Sequence, residues 1–175
     1  MNKKIIWGIA SLFLLAGCAT FESAEMREQR YGKAAPVISQ YFASPTMRQG
    51  DTWKVYLKAS DPDGDMKRIV TYLGQGSRGA DSSVAFTRLR EEDRREFSGY
   101  LYWYPGSDVR FYGQYVMIIQ VEDKAGHYSG PISLPLNFKP SGRQESPPAG
   151  VFNEKEIGPV MISLKYGANG AGGGM

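Results

Sequence analysis

A period-two alternation of apolar and polar residues, repeated in short runs between 35 and 139, decides what this chain can fold into. Trp53, Val55, Leu57 and Ala59 alternate with Lys54, Tyr56 and Lys58, the pattern of a strand with one buried face. Tyr115, Met117, Ile119 and Val121 form one face of another. Its opposite side runs from Val116 and Ile118 into polar Gln120 and Glu122. Ile132, Leu134, Leu136 and Phe138 alternate again, and Pro135, which cannot donate to a ladder, marks an edge or a bulge. Weaker runs lie at 37–42, 67–73, 83–89 and 97–104. Turn-forming clusters separate them, among them Gln49-Gly50-Asp51, Asp61-Pro62-Asp63-Gly64-Asp65, 74–81, Pro105-Gly106-Ser107-Asp108 and Lys124-Ala125-Gly126. With no long amphipathic helix, about seven short strands spaced by turns predict an all-β sandwich.

Such a fold must be held by burial. The chain has one cysteine, so no intrachain disulfide can form, and cysteine metal clusters are excluded with it. Aromatic residues make up 13% of the sequence and supply large buried areas. The formal charge of +3 includes Lys3 and Lys4. Without them 19 basic residues face 18 acidic ones, so a basic nucleic-acid-binding face is not expected.

The N-terminus carries an address. Met1 to Lys4 is basic, Ile5 to Ala16 is apolar, and Leu15-Ala16-Gly17-Cys18 closes the run on the sole cysteine. The basic head, short apolar stretch and small residues describe a secretory signal, and the stretch is too short to cross a bilayer that needs about 20 residues. Its ending resembles the lipobox of bacterial lipoproteins. That resemblance implies cleavage before Cys18, acylation of Cys18 and attachment to a membrane. Ala19 in the next position implies, by the same resemblance, the outer membrane of a Gram-negative envelope.

The expected organisation is a signal peptide at 1–17, a flexible lipidated tether at 18–34 and a sandwich at 35–139. A linker (140–150) and a tail (151–175) follow. The tether is charged and lacks a two-sided pattern long enough for an isolated helix. In the tail, Val160, Ile162 and Leu164 alternate with Met161, Ser163 and Lys165 and suggest one further strand before a Gly-rich terminus expected to be disordered.

Ala59-Ser60-Asp61-Pro62-Asp63-Gly64-Asp65 and the run from Tyr115 to Val121 with Asp123-x-Ala125-Gly126 are similar to segments of bacterial immunoglobulin-like and PKD-type domains. The Trp-Asp-Phe-Gly-Asp-Gly signature of PKD domains is missing where 72–79 stands. The resemblance implies an immunoglobulin-like β-sandwich in which both turns sit at the same end, so that their aspartates approach.

Asp61, Asp63, Asp65 and Asp123 therefore have two readings. They form a weak Ca²⁺ site, which accepts 6–8 oxygens, or Asx turns bonded to their own backbone. An EF-hand is excluded, because its sixth and twelfth positions would be Met66 and Tyr72. No other cofactor is expected. Tyr100, Tyr102 and Tyr104 alternate with Phe97, Gly99, Leu101 and Trp103, and are either an exposed strip for glycan or protein, or rings covered by cross-strand neighbours or the tail. His127, the sole histidine, lacks a nucleophile context, and the interleaved charges at 88–96 read as a solvated connection. The expected function is a non-catalytic envelope lipoprotein, anchored to the membrane, whose domain acts as a protein-binding or structural module with an envelope protein as partner. Alternatives are an accessory subunit whose tail strand joins a partner's sheet, a glycan-binding module, or a hydrolase with paired carboxylates in a cleft.

Overall fold

The computed structural model describes residues 22–76, 83–106 and 112–164; Cys18, the signal segment and the Gly-rich terminus lie outside them. Nine strands occur among the described residues: β1 (Val37–Ala43), β2 (Thr46–Met47), β3 (Trp53–Ser60), β4 (Met66–Gln75), β5 (Ser83–Arg88), β6 (Glu96–Trp103), β7 (Gly113–Asp123), β8 (Ile132–Phe138) and β9 (Glu156–Pro159). They form two sheets, a four-stranded one in the order β1-β3-β6-β9 and a five-stranded one in the order β2-β8-β7-β4-β5. The chain changes sheet between β1 and β2, at Ser44-Pro45. There it leaves antiparallel pairing with β3 and joins β8 in parallel.

The inward residues are those the alternation marks. Trp53, Val55, Leu57, Phe97, Leu101 and Trp103 from one sheet meet Ile69, Leu73, Tyr115, Met117, Ile119, Leu134 and Phe138 from the other. The two indoles stand edge to face at 6.5 Å, and Trp103 also meets Tyr115 at 6.3 Å. Buried indole N–H groups need acceptors. Trp53 donates to the Ser44 carbonyl at 2.8 Å, and Trp103 to that of Ile162 at 2.9 Å.

Three expected boundaries move. The segment 18–34 is not wholly a tether: Ala24–Tyr31 is an α-helix, α1, capped by Ser23, whose hydroxyl accepts the Met26 N–H at 3.3 Å. An eight-residue helix is marginal alone. This one is held by the sandwich, through Arg27 Nε donating to the Ala125 carbonyl at 2.8 Å. Nor is 140–150 a free linker. Thr46 donates to the Arg143 carbonyl, the Glu145 N–H donates to the Ser44 hydroxyl, and a side chain at Gly142 would clash with the Met47 backbone.

The tail, finally, belongs to the domain. The strand suggested from the alternation of Val160, Ile162 and Leu164 is shifted: β9 ends at Pro159 and pairs in parallel with β6, while Val160 and Ile162 follow it outside the strand and are buried in the core with Ile157. β9 is thus paired with β6 on one side and stands at the edge of the four-stranded sheet. The charged connection after β5 is a single 3₁₀ turn, Glu91–Asp93. It is not wholly solvated: Asp93 is buried and pairs with Lys155 ahead of β9.

Candidate metal centre

The β3–β4 turn carries the chain from one sheet to the other, and its backbone is tightly bound. Asp61 N–H donates to the Arg95 carbonyl at 2.8 Å, and the Asp63 N–H donates to Asp61 Oδ1 at 2.8 Å. Gly64 takes φ +76°, and a side chain there would strike the Arg95 guanidinium. At the end of β7, Asp123 Oδ1 accepts the N–H groups of Gly126 at 2.6 Å and His127 at 2.8 Å. The two turns are joined by Lys124, whose N–H donates to Asp65 Oδ2 at 3.1 Å.

This brings Asp61, Asp65 and Asp123 together. They are 1%, 5% and 0% exposed, and one carboxylate oxygen from each lies within 4.8 Å of the others. Asp61 Oδ2 and Asp65 Oδ1 have no hydrogen-bond partner. Burial, with the negative charges of Asp123 and Asp61 added to it, pushes the Asp65 carboxyl up to about 6.

Asp63, expected in the same cluster, is elsewhere. Its Oδ2 accepts the Ala34 N–H at 2.8 Å, and its carboxylate occupies the space beside Gly32 (φ +110°), so it ties the end of α1 to the turn. Asp63 sits at the tip of the turn, where its side chain faces out while those of Asp61 and Asp65 face in.

His127 is more than a surface residue. Its Nδ1 lies 2.9 Å from Asp123 Oδ2, and its Nε2 lies 3.3 Å from Glu28 Oε1 on α1. Burial opposes its charge, but the hydrogen bonds to Glu28 and Asp123 outweigh this and raise its pKa. Sequence reasoning missed Glu28 because α1 was not expected. The local signals for that helix were present: Ser23 at the cap, Glu25 in the first turn and Arg30 in the last.

The tyrosines divide. Tyr100 packs on Tyr56 at 5.5 Å with Lys54 Nζ 4.0 Å from its ring centroid, and Phe152 covers Tyr56 at 5.6 Å. Tyr102 is half-buried in register with Lys54 and Pro159, and Tyr104 alone is exposed. Covered rings, the second reading, describe Tyr100. Exposed apolar side chains also lie on the outer face of the five-stranded sheet, where Val84, Tyr72 and Ile118 are in register and Phe86 stands opposite the buried Val70 in the next row.

Sheet order, the split first strand and the inter-sheet core make this domain an immunoglobulin-like β-sandwich. No protein-family model and no curated protein matches the chain. Among solved structures, the chain is similar to a Niemann-Pick type C2 protein from Japanese carpenter ant, at 8% identity and a TM-score of 0.41, over 60% of this chain and 93% of that one. It is also similar to fibronectin(III)-like modules of Clostridium thermocellum CbhA, at 17% identity and 0.37, over 62% of this chain and 48% of that one. The PKD domain of a peptidase from a Thermoplasmatales archaeon follows at 16% identity and 0.34, over 62% of this chain and 98% of that one.

Proposed function

We propose that this chain is a lipid-anchored protein of the bacterial cell envelope whose immunoglobulin-like domain binds a protein partner without catalysing a reaction. The signal-type N-terminus ending in Leu15-Ala16-Gly17-Cys18, on the only cysteine, supports the anchor, and Ala19 favours the outer membrane. Stable anchoring takes two or more acyl chains, which a modified N-terminal cysteine carries.

The observation that carries the binding role is the apolar outer face of the five-stranded sheet. Tyr72, Ile118, Val84 and Phe86 are between 36% and 53% exposed, on a face where alternation ordinarily places polar residues. Contiguous exposed apolar surface marks an interaction site. The aspartates that come together are buried beneath turns, out of reach of a glycan, so the cluster lends the hydrolase alternative no support.

The test combines location and contact. The chain should fractionate with membranes, and Cys18→Ala should release it. A photo-crosslinker at position 86 in living cells should yield discrete protein adducts that the Val84→Ser/Tyr72→Ser variant loses. An unmodified Cys18 in the natural product removes the anchor from this reading. Crosslinking to lipid or to nothing removes the partner.

A further inference from the structure

We propose that Asp61, Asp65 and Asp123 bind one divalent cation, Ca²⁺ in preference to Mg²⁺ or Zn²⁺, and that the ion ties the two sheets together at the α1 end of the sandwich. Clustered acids alone would not carry this. The argument rests on how each carboxylate is held. Asp61 has Oδ1 fixed by the Asp63 N–H and Oδ2 left without a partner. Asp65 has Oδ2 fixed by the Lys124 N–H and Oδ1 left without a partner. Asp123 has Oδ1 fixed by two N–H groups and Oδ2 held by His127. Backbone donors thus orient the three groups and leave oxygens facing one another in a buried space.

Orphan buried carboxylate oxygens are costly, and among the described residues no lysine or arginine side chain pairs with any of the three. A cation in their midst supplies the missing partner. The donor set is all oxygen, which selects a hard ion over zinc. Oxygens within 4.8 Å of one another fit ligands at about 2.3–2.6 Å from one ion, whereas Mg²⁺ demands near-ideal octahedral geometry and dehydrates reluctantly, which three carboxylates fixed by backbone donors serve less well. The nearest imidazole does not face the centre with a free nitrogen. His127 Nδ1 is engaged by Asp123 and Nε2 by Glu28, the arrangement of a residue that orients a ligand from behind. With three protein ligands, water completes the 6–8 oxygens of Ca²⁺. The expected affinity is that of extracellular modules, Kd about 10⁻⁴–10⁻³ M. The proposal stands whether or not the chain is acylated.

The experiment uses the full chain in detergent, stripped with EGTA. Calcium chloride at about ten times Kd should raise Tm by about 3–6 °C, magnesium chloride at the same concentration should do much less, and matched ionic strength from potassium chloride nothing. Equilibrium dialysis should find one calcium per chain. Asp65→Asn, which also removes like-charge repulsion, should fold and lose the calcium shift. Asp63→Asn, outside the cluster, should keep it. Absence of calcium binding by the wild-type chain at about 10 mM overturns the proposal, as does an undiminished shift in both Asp61→Asn and Asp65→Asn. Should Asp65→Asn fail to fold, dialysis of the wild type and of Asp61→Asn decides alone.

Discussion

The indole of Trp103 donates to the carbonyl of Ile162 at 2.9 Å, so the satisfaction of a core tryptophan depends on a segment 59 residues further along the chain. Ile157, Val160 and Ile162 are buried beside it, and Lys155 pairs with the buried Asp93 as the chain enters β9. The sandwich is therefore closed by its tail.

A chain ending at Gly150 should not fold stably. It loses three buried aliphatic side chains, each contributing roughly 1.5–3 kcal/mol as an upper estimate, against a total stability of about 5–15 kcal/mol for a domain. It also strands the Trp103 N–H and the Asp93 carboxylate. The expected result is loss of the cooperative thermal transition, or a fall in Tm above about 15 °C, by circular dichroism. A truncated chain melting like the full one would detach β9 from the core.

Gly99 should tolerate no side chain. A Cβ there would meet the carbonyl of Lys155, which accepts the Tyr100 N–H at 2.9 Å. Gly99→Val forces β9 away from β6, and the cost should be about 2–4 kcal/mol, in the range of overpacked cores. Hydrogen exchange locates the effect: the Tyr100 amide should lose protection while amides of β7 and β8 lose little.

Much of this was legible locally. Trp53 to Ala59, Tyr115 to Val121 and Ile132 to Phe138 announce their buried faces, because burial on one side of a strand imposes a period of two. What escaped depends on distant partners. Tyr56 lies on the outer face yet is buried, since Phe152 and Glu154 lie over it. β2 has two residues, too few to show a period. The tail is recognisable as apolar at Ile157, Val160 and Ile162, but the parallel pairing of β9 with β6 is a fact of the whole fold. Within the candidate centre, adjacency of the two turns was foreseeable from sandwich topology. Which aspartate faces outward was not, because that follows from the Ala34 contact made by Asp63.

Helix α1 should depend on its contacts with the sandwich more than on its own caps. Arg27 donates to the Ala125 carbonyl at 2.8 Å and to the Glu22 carbonyl at 3.2 Å, joining the middle of the helix and the residue before its cap to the β7–β8 turn. Arg27→Ala removes charge-assisted bonds of about 1.5–3 kcal/mol each before solvent compensates. The global Tm should fall by no more than about 3 °C, because the core is untouched. Tryptic cleavage after Arg30 should accelerate at least tenfold, since local opening then precedes global unfolding. Unchanged cleavage would mean that Glu28–His127 and Ala34–Asp63 suffice.

Acid should loosen the cover over Tyr56 before it unfolds the domain. Glu154 accepts from Lys54 Nζ at 3.0 Å and from the Tyr56 hydroxyl at 2.8 Å, and these two bonds lower its pKa from the ordinary 4.5. A carboxyl whose folded pKa is depressed contributes stability that is present above its unfolded value and lost as pH falls through the folded one. The contribution is therefore full at neutral pH, begins to fall below the ordinary 4.5, and is gone once pH passes the lowered folded value. Glu154→Gln removes the charge at every pH. Its Tm should lie below that of the wild type at pH 7 and converge on it as pH falls below 4.5 and through the lowered folded value. In step with this, the near-ultraviolet signal of the Tyr56–Tyr100–Phe152 cluster should weaken in the wild type between those limits. A constant gap from pH 7 to pH 3 would show that Glu154 acts through packing instead of charge. The group is largely exposed, so added salt should narrow the neutral-pH gap as well.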